Sequence, residues 1–280
     1  MSDQPAPYGN ATHAQAATRV RIPHLKQMKV EGRKWAMLTA YDMYSAAIFD
    51  DAGIPVLLVG DSASNNVYGN ESTLSVTVDE LIPLVRAVSR STQRALVIAD
   101  LPFGSYQASA GQCFHTAVRF MKEAGAHAVK LEGGIEMLPQ VEKLTSSGIP
   151  VMAHIGFTPQ FEHQLGGFRV QGRGEDAQRL IDSAKAFEAA GAFAILIEMV
   201  PGDVGRAITE AVSIPTVGIG AGNQCDAQVL VWQDMAGLRT GRMPRFVKQY
   251  ADLRSALHNA AKDFAMDVGA GTFPGPEHTF

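Results

Sequence analysis

The segment Trp35–Ser62, WAMLTAYDMYSAAIFDDAGIPVLLVGDS, decides the fold. It holds two short apolar runs, Trp35–Tyr41 and Ile54–Gly60, that are continuous rather than alternating. Runs of this kind belong to strands buried on both faces of a parallel sheet. The junction after the first run, Tyr41-Asp42-Met43-Tyr44-Ser45, contains no glycine. A doubly wound dinucleotide-binding sheet would place Gly-x-Gly-x-x-Gly there, so an open sheet of that type does not fit.

The same pattern continues along the chain. Further strands are expected at Ala95–Asp100, Ala128–Glu132, Pro150–His154, Ala194–Met199, Pro215–Ile219 and Val229–Trp232. Helical stretches are expected around 79–92, 110–124, 135–147, 175–190 and 203–212. Gly125, Gly148 and Gly191 stand between a helix and the next strand, where a left-handed C-cap turns the chain back. Strands and helices alternating over roughly 250 residues predict an α/β fold, the (β/α)8 TIM barrel. Residues 1–18 read as a mobile N-terminal tail and 19–280 as a single barrel domain. Within that domain a short basic helix around 22–30 is expected to close the barrel bottom. An extra C-terminal helix is expected from the stripe Phe246, Tyr250, Leu253, Leu257, Ala261, Phe264 and Val268, which recur at steps of three or four.

Composition narrows the function classes. The 280 residues are 46% hydrophobic and 19% charged, which excludes a disordered chain. Net charge is −4, without a dense basic block, so nucleic acid is not an expected partner. No apolar run approaches the ~20 residues that span a bilayer, so no membrane association is expected. The N-terminal sequence lacks the pattern of a secretory signal. Cys113 and Cys225 stand far apart, without zinc spacing, and read as reduced thiols. A cytoplasmic location follows as the expectation.

Barrel active sites form at the C-terminal ends of the strands. Five consecutive strands end in polar or ionisable groups there: Asp61-Ser62, Asp100, Lys130 with Glu132, His154 and Glu198. Lys130 and Glu132 are two apart and so face the same side of their strand. Singly, each has an ordinary reading as a turn former, an ion pair or a core histidine. Jointly, four carboxylates at one mouth are costly without a cation. Carboxylate ligands with no His-rich or Cys-rich set point to Mg²⁺. Two loops add to the mouth. Gly218-Ile-Gly-Ala-Gly222 either satisfies a tight turn or cradles an anion, and Gly166–Gly174, with two arginines, has the composition of a lid.

These residues lie in blocks that resemble the ketopantoate hydroxymethyltransferase family. The blocks are Leu38-Thr-Ala-Tyr-Asp42, Leu58-Val-Gly-Asp-Ser62, Ala99-Asp-Leu-Pro-Phe103, Val129-Lys-Leu-Glu-Gly-Gly134 and Ala153-His-Ile-Gly-Phe-Thr-Pro-Gln160. They continue through Gly166–Gly174, Glu198-Met-Val-Pro201 and Gly218–Gly222. The resemblance implies transfer of a hydroxymethyl group from 5,10-methylenetetrahydrofolate, with water, to 3-methyl-2-oxobutanoate. The products would be 2-dehydropantoate (ketopantoate) and tetrahydrofolate, in pantothenate biosynthesis. It places metal ligands at Asp61, Asp100 and Glu132, and substrate contacts at Asp61, Ser62, Asp100 and Lys130. It places the general base at Glu198, with Lys130 and His154 also in the catalytic set. It also implies a homo-oligomer, a decamer of two pentameric rings. The alternative is another Mg-dependent 2-oxo acid C–C lyase or mutase on the same barrel. Such a lyase would often carry a reactive cysteine on a mobile loop, which neither Cys113 nor Cys225 resembles.

Overall fold

A computed structural model describes residues 18–280, so all but the last residue of the N-terminal tail lies outside the described residues. The chain begins with helix α1 (Ile22–Val30), then β1 (Trp35–Thr39), α2 (Met43–Asp51), β2 (Val56–Val59) and the short α3 (Ala63–Asn66). Next come α4 (Val78–Arg90), β3 (Leu96–Asp100), α5 (Ala110–Ala124), β4 (Ala128–Glu132) and α6 (Leu138–Ser146). The second half holds β5 (Val151–Gly156), α7 (Glu162–Leu165), α8 (Asp176–Ala189), β6 (Ala194–Glu198), α9 (Gly202–Ala211) and β7 (Thr216–Ile219). It ends with β8 (Ala227–Leu230), α10 (Trp232–Met235) and α11 (Leu253–Ala270).

The eight strands pair in parallel, in sequence order, and close β8 onto β1. Strand alternation sorts their side chains into two cores. Leu57, Val97, Val129 and Ile195 point outward and pack under the helices. Trp35, Met37, Leu58, Ile98, Met152 and Leu196 fill the barrel interior instead. Leu25 of α1 is fully buried in this inner core, so α1 closes the bottom as its composition suggests. Lys29 fixes that helix by an ion pair of 2.9 Å to Asp226, whose carboxylate also takes the Thr216 N–H. With the bottom filled by apolar side chains, the polar residues are left for the top.

Several boundaries differ from the sequence reading, most clearly at β8 and the C-terminal helix. Strand β8 starts at Ala227, two residues before the expected start, because the Trp35 N–H bonds Asp226 O and begins the pairing there. Trp232 opens α10 rather than ending the strand. The C-terminal helix starts at Leu253, so Phe246 and Tyr250 are not part of its stripe. Asp252 caps it by accepting the Ser255 N–H, and the Tyr250 N–H is already held by Met235 O. Gly125, Gly148 and Gly191 all take the positive φ expected of them.

His127 introduces β4 and makes the fold sensitive to acid. Its Nδ1 accepts the Val97 N–H at 3.0 Å, and its backbone N–H donates to Val97 O at 2.9 Å. Burial, with repulsion from Arg19 and Arg21, holds the imidazole down at about 4. In the unfolded chain it titrates near 6.5. Between these values the unfolded chain binds a proton that the folded chain does not, so stability rises with pH across the window. The contribution is complete above about 6.5 and is lost as pH falls through about 4. His127→Asn supplies another acceptor but no titrating group. Urea midpoints measured from acid to neutral pH should change less steeply for this variant than for the parent.

Candidate active site

Register decides what meets at the barrel top. Asp100 lies level with Lys130, Glu132 with His154, and Gly156 with Glu198. Asp100, Lys130, His154 and Glu198 each follow an inward-facing apolar residue by two positions, and Glu132 follows Lys130 by two, so all of them enter the lumen. Asp61 arrives from the turn after β2, with its N–H on Asp100 Oδ2 at 3.1 Å. Gly60 permits this approach. A Cβ there would stand 2.7 Å from Ser62 Oγ and 3.7 Å from Asp100 Oδ2.

The result is one connected polar cluster. Lys130 Nζ is 2.9 Å from Asp100 Oδ1 and 3.2 Å from Glu132 Oε1. Glu132 Oε1 also meets His154 Nδ1 at 3.2 Å, and His154 Nε2 lies 3.4 Å from Glu198 Oε2. Ser62 Oγ shares a hydrogen bond of 2.8 Å with Tyr41 Oη at the rim of the cluster. Asp61, Ser62, Asp100, Lys130, Glu132, His154 and Glu198 are therefore brought together from five elements.

Electrostatics separates these groups. Burial, then Asp100 and Glu132, pushes the Asp61 carboxyl well above the usual range. Burial also raises Asp100, although Lys130 acts against it. Burial disfavours ionised Glu132 too, but Lys130 and His154 outweigh it and pull the carboxyl down to about 2. Burial and Lys130 oppose a charge on His154, yet Glu132 and Glu198 hold its imidazole up at about 9. Lys130 is likewise raised, because Asp100, Glu132 and Asp61 outweigh its burial. Lys130 is thus held cationic by the carboxylates around it, and its Nζ also lies 3.3 Å from His154 Nδ1.

The arrangement fits a hard cation. One oxygen from each of Asp61, Asp100 and Glu132 lies within 4.8 Å of the others, and all three residues are buried. Burial and mutual repulsion raise the Asp61 and Asp100 carboxyls even with Lys130 beside Asp100 at 2.9 Å, and a cation held among the three carboxylates would relieve that repulsion. Mg²⁺, with its preference for carboxylate oxygen, matches this donor set.

Gln160 and Tyr106 belong to the cluster and were not singled out by the sequence. Gln160 Nε2 donates to Asp61 Oδ2 and to Leu101 O, both at 2.9 Å. Its backbone N–H donates to Glu132 Oε2 at 3.0 Å, and its Oε1 accepts the Tyr106 hydroxyl at 2.7 Å. One buried residue thus aims two of the three carboxylates. Nothing in the local pattern Thr158-Pro159-Gln160 signals this, since every partner is distant in sequence.

The loops resolve differently. Gly222 and Gly202 pack backbone to backbone, with a Gly222 Cβ falling 2.9 Å from Gly202 Cα. Phe246 fills the space over Gly220. The glycines at 218–222 therefore allow close packing at this turn. The Gly166–Gly174 segment is a loop over the mouth, where Phe168 stacks on Phe157 at 4.8 Å and the Gln171 N–H bonds Met199 O. Met199, next to Glu198, has φ 48, a left-handed backbone rare for a side chain of this type. Cys113 and Cys225 are buried, and burial pushes the Cys113 thiol up to about 12. Neither is a reactive thiolate.

Comparison with known proteins follows the same line. Residues 19–276 match the family model described as ketopantoate hydroxymethyltransferase. The chain belongs to the ketopantoate hydroxymethyltransferase family. A 3-methyl-2-oxobutanoate hydroxymethyltransferase of a Nocardioides species is 69% identical over 99% of this chain and 97% of its own length. One from Mycobacterium marinum is 57% identical over 100% of this chain and 95% of its own. The chain is thus an enzyme, a hydroxymethyltransferase of this family. Among solved structures it is similar in fold to phosphonopyruvate hydrolase, described in complex with oxalate and Mg²⁺, with TM-score 0.60 and 16% identity over 92% of each chain. Phosphoenolpyruvate phosphomutase from Streptomyces platensis gives TM-score 0.59 at 17% identity, over 89% of this chain and 88% of its own. At those identities the likeness is one of barrel fold, and family membership sets the chain apart from the lyase and mutase alternative.

Proposed function

We propose that the chain transfers a hydroxymethyl group from 5,10-methylenetetrahydrofolate to 3-methyl-2-oxobutanoate, giving 2-dehydropantoate and tetrahydrofolate, as a Mg²⁺-dependent step of pantothenate biosynthesis. The observation that carries this reading is the acidic trio Asp61, Asp100 and Glu132, linked through His154 to Glu198. Asp61, Asp100 and Glu132 are the residues that would hold Mg²⁺, directly or through water. When bound there, Mg²⁺ draws electron density from the carboxylate and keto oxygens of the oxo acid and makes its C3–H more acidic.

The protein's own groups supply the rest. Ser62, on the turn after β2, holds the substrate carboxylate. Lys130, kept cationic by its neighbours, balances negative charge that develops on substrate oxygen. Glu198 removes the C3 proton. It is less enclosed than the trio, and the carboxylates on either side of His154 favour the protonated imidazole, which makes Glu198 the better acceptor of the pair. The carbanion at C3 then bonds the one-carbon unit: both C–N bonds of the methylene group break, water leaves its oxygen on that carbon and its two hydrogens on the folate nitrogens, and the proton taken from C3 ends on the new hydroxyl. An assay with 3-methyl-2-oxobutanoate and methylenetetrahydrofolate, with and without Mg²⁺, tests the reading. Product formed at the same rate after metal removal would contradict it.

A cytoplasmic, homo-oligomeric enzyme completes the proposal. No helix of the described residues is long and apolar enough to cross a membrane. Helix α11 has no buried residue, although Leu257, Phe264, Met266 and Val268 are each more than half exposed. A face of that kind is normally covered by a partner, and a second copy of the chain fits the family precedent of stacked pentameric rings. Light scattering at micromolar concentration should return a multiple of 29.9 kDa. Deleting residues 253–280 should lower the number of chains in the assembly. A monomer mass across the concentration range would contradict assembly and leave the chemistry untouched.

A further inference from the structure

Charge is segregated around the barrel mouth. The chain is acidic as a whole, yet residues 235–251 contain Arg239, Arg242, Arg245 and Lys248 and no Asp or Glu. Arg239 leans on Asp234 at 3.6 Å. Among the described residues, Arg242, Arg245 and Lys248 are exposed and form no ion pair, and Lys248 only rests over the Tyr250 ring at 4.7 Å. With no anion beside them, these three charges are free to meet an anionic ligand.

Its position gives it a use. Phe246, between Arg245 and Val247, has a ring carbon 3.0 Å from where a Gly220 Cβ would stand, and Met199 Cγ is 3.5 Å from the same point. Met199 directly follows Glu198, and its carbonyl accepts the Gln171 N–H at 2.9 Å. Gln171 lies between Arg169 and Arg173, both exposed. Two basic loops, one after β5 and one after β8, therefore converge on the residue beside Glu198.

We propose that this rim binds the glutamate tail of the folate co-substrate and favours folates carrying several γ-linked glutamates. The proposal rests on the folate reading given above. The one-carbon end of the folate must reach C3 of the oxo acid beside Glu198, which directs the tail outward across the mouth. Each γ-linked glutamate adds one carboxylate, and an arginine fork can take a carboxylate through two parallel hydrogen bonds. A single exposed pair gives about a fivefold gain at most, so several cations discriminate a polyanion from a ligand with a short tail. The three unpaired cations after β8 form the centre of the site.

Steady-state KM values for monoglutamyl and pentaglutamyl 5,10-methylenetetrahydrofolate, at low and high salt, test this with the full-length enzyme. The pentaglutamyl form should have a KM lower by about tenfold, a preference that salt weakens. In the triple variant Arg242→Gln, Arg245→Gln and Lys248→Gln, the ratio of the two KM values should fall close to one. Lys185→Gln, an exposed change on α8, should keep the parental ratio. Equal KM values for both folates in an active parent enzyme would overturn the tail site and leave the folate reading standing. A preference that survives the triple substitution would overturn it as well. An enzyme inactive with either folate would overturn the folate reading and the tail site together.

Discussion

Asp61→Asn should abolish Mg²⁺-dependent binding of the oxo acid while the barrel stays folded. The substitution keeps the size of the side chain and an acceptor for Gln160 Nε2, but removes the charge that faces Asp100 and Glu132. Loss of an outer partner of a metal ligand typically costs about 10–100-fold in affinity, and loss of a ligand's charge should cost more. Without metal the variant should melt no lower than the parent, because one of three crowded buried carboxylates is gone. Asp100→Ala should lose metal equally but melt lower, since it leaves Lys130 with one partner fewer. Calorimetry that found parental Mg²⁺ affinity in Asp61→Asn would remove Asp61 from the ligand set.

Glu198→Gln carries the second large effect. The amide keeps the shape beside His154 but cannot take a proton, and a positioned general base is worth about 10²–10⁴ in rate. kcat should fall by that factor with little change in KM for the oxo acid, because Glu198 is not among the residues assigned to bind it. A fall confined to KM would make Glu198 a binding residue instead.

Much of this site is legible in the sequence because strand alternation is a strict rule. Once β4 is placed, Lys130 and Glu132 must enter the lumen together, and His154 and Asp100 follow from the neighbouring strands. Helix periodicity is looser. Phe246 and Tyr250 fit a spacing of three and four with Leu253, yet Asp252 caps the helix after them, and Phe246 packs instead on Gly220. The start of β8 is hidden because Asp226, a polar residue, begins the pairing through its carbonyl. Gln160 is illegible for a different reason. It acts through Asp61, Leu101, Tyr106 and Glu132, which only the closed barrel brings to it. The same holds for the charge state of His154, which depends on Glu132 from the strand before it and Glu198 from the strand after.

Hydrogen exchange tests most directly the proposal that Glu198 removes the C3 proton within a site completed by Mg²⁺. 3-Methyl-2-oxobutanoate is incubated with enzyme and Mg²⁺ in D₂O without folate, and proton NMR follows the C3–H signal and the methyl doublets. The parent enzyme should wash out C3–H and collapse the doublets with no product formed, and His154→Gln should retain the exchange. Glu198→Gln should lose it while still binding the oxo acid. Exchange that persists in Glu198→Gln and disappears in His154→Gln would contradict the account and assign the proton to the histidine.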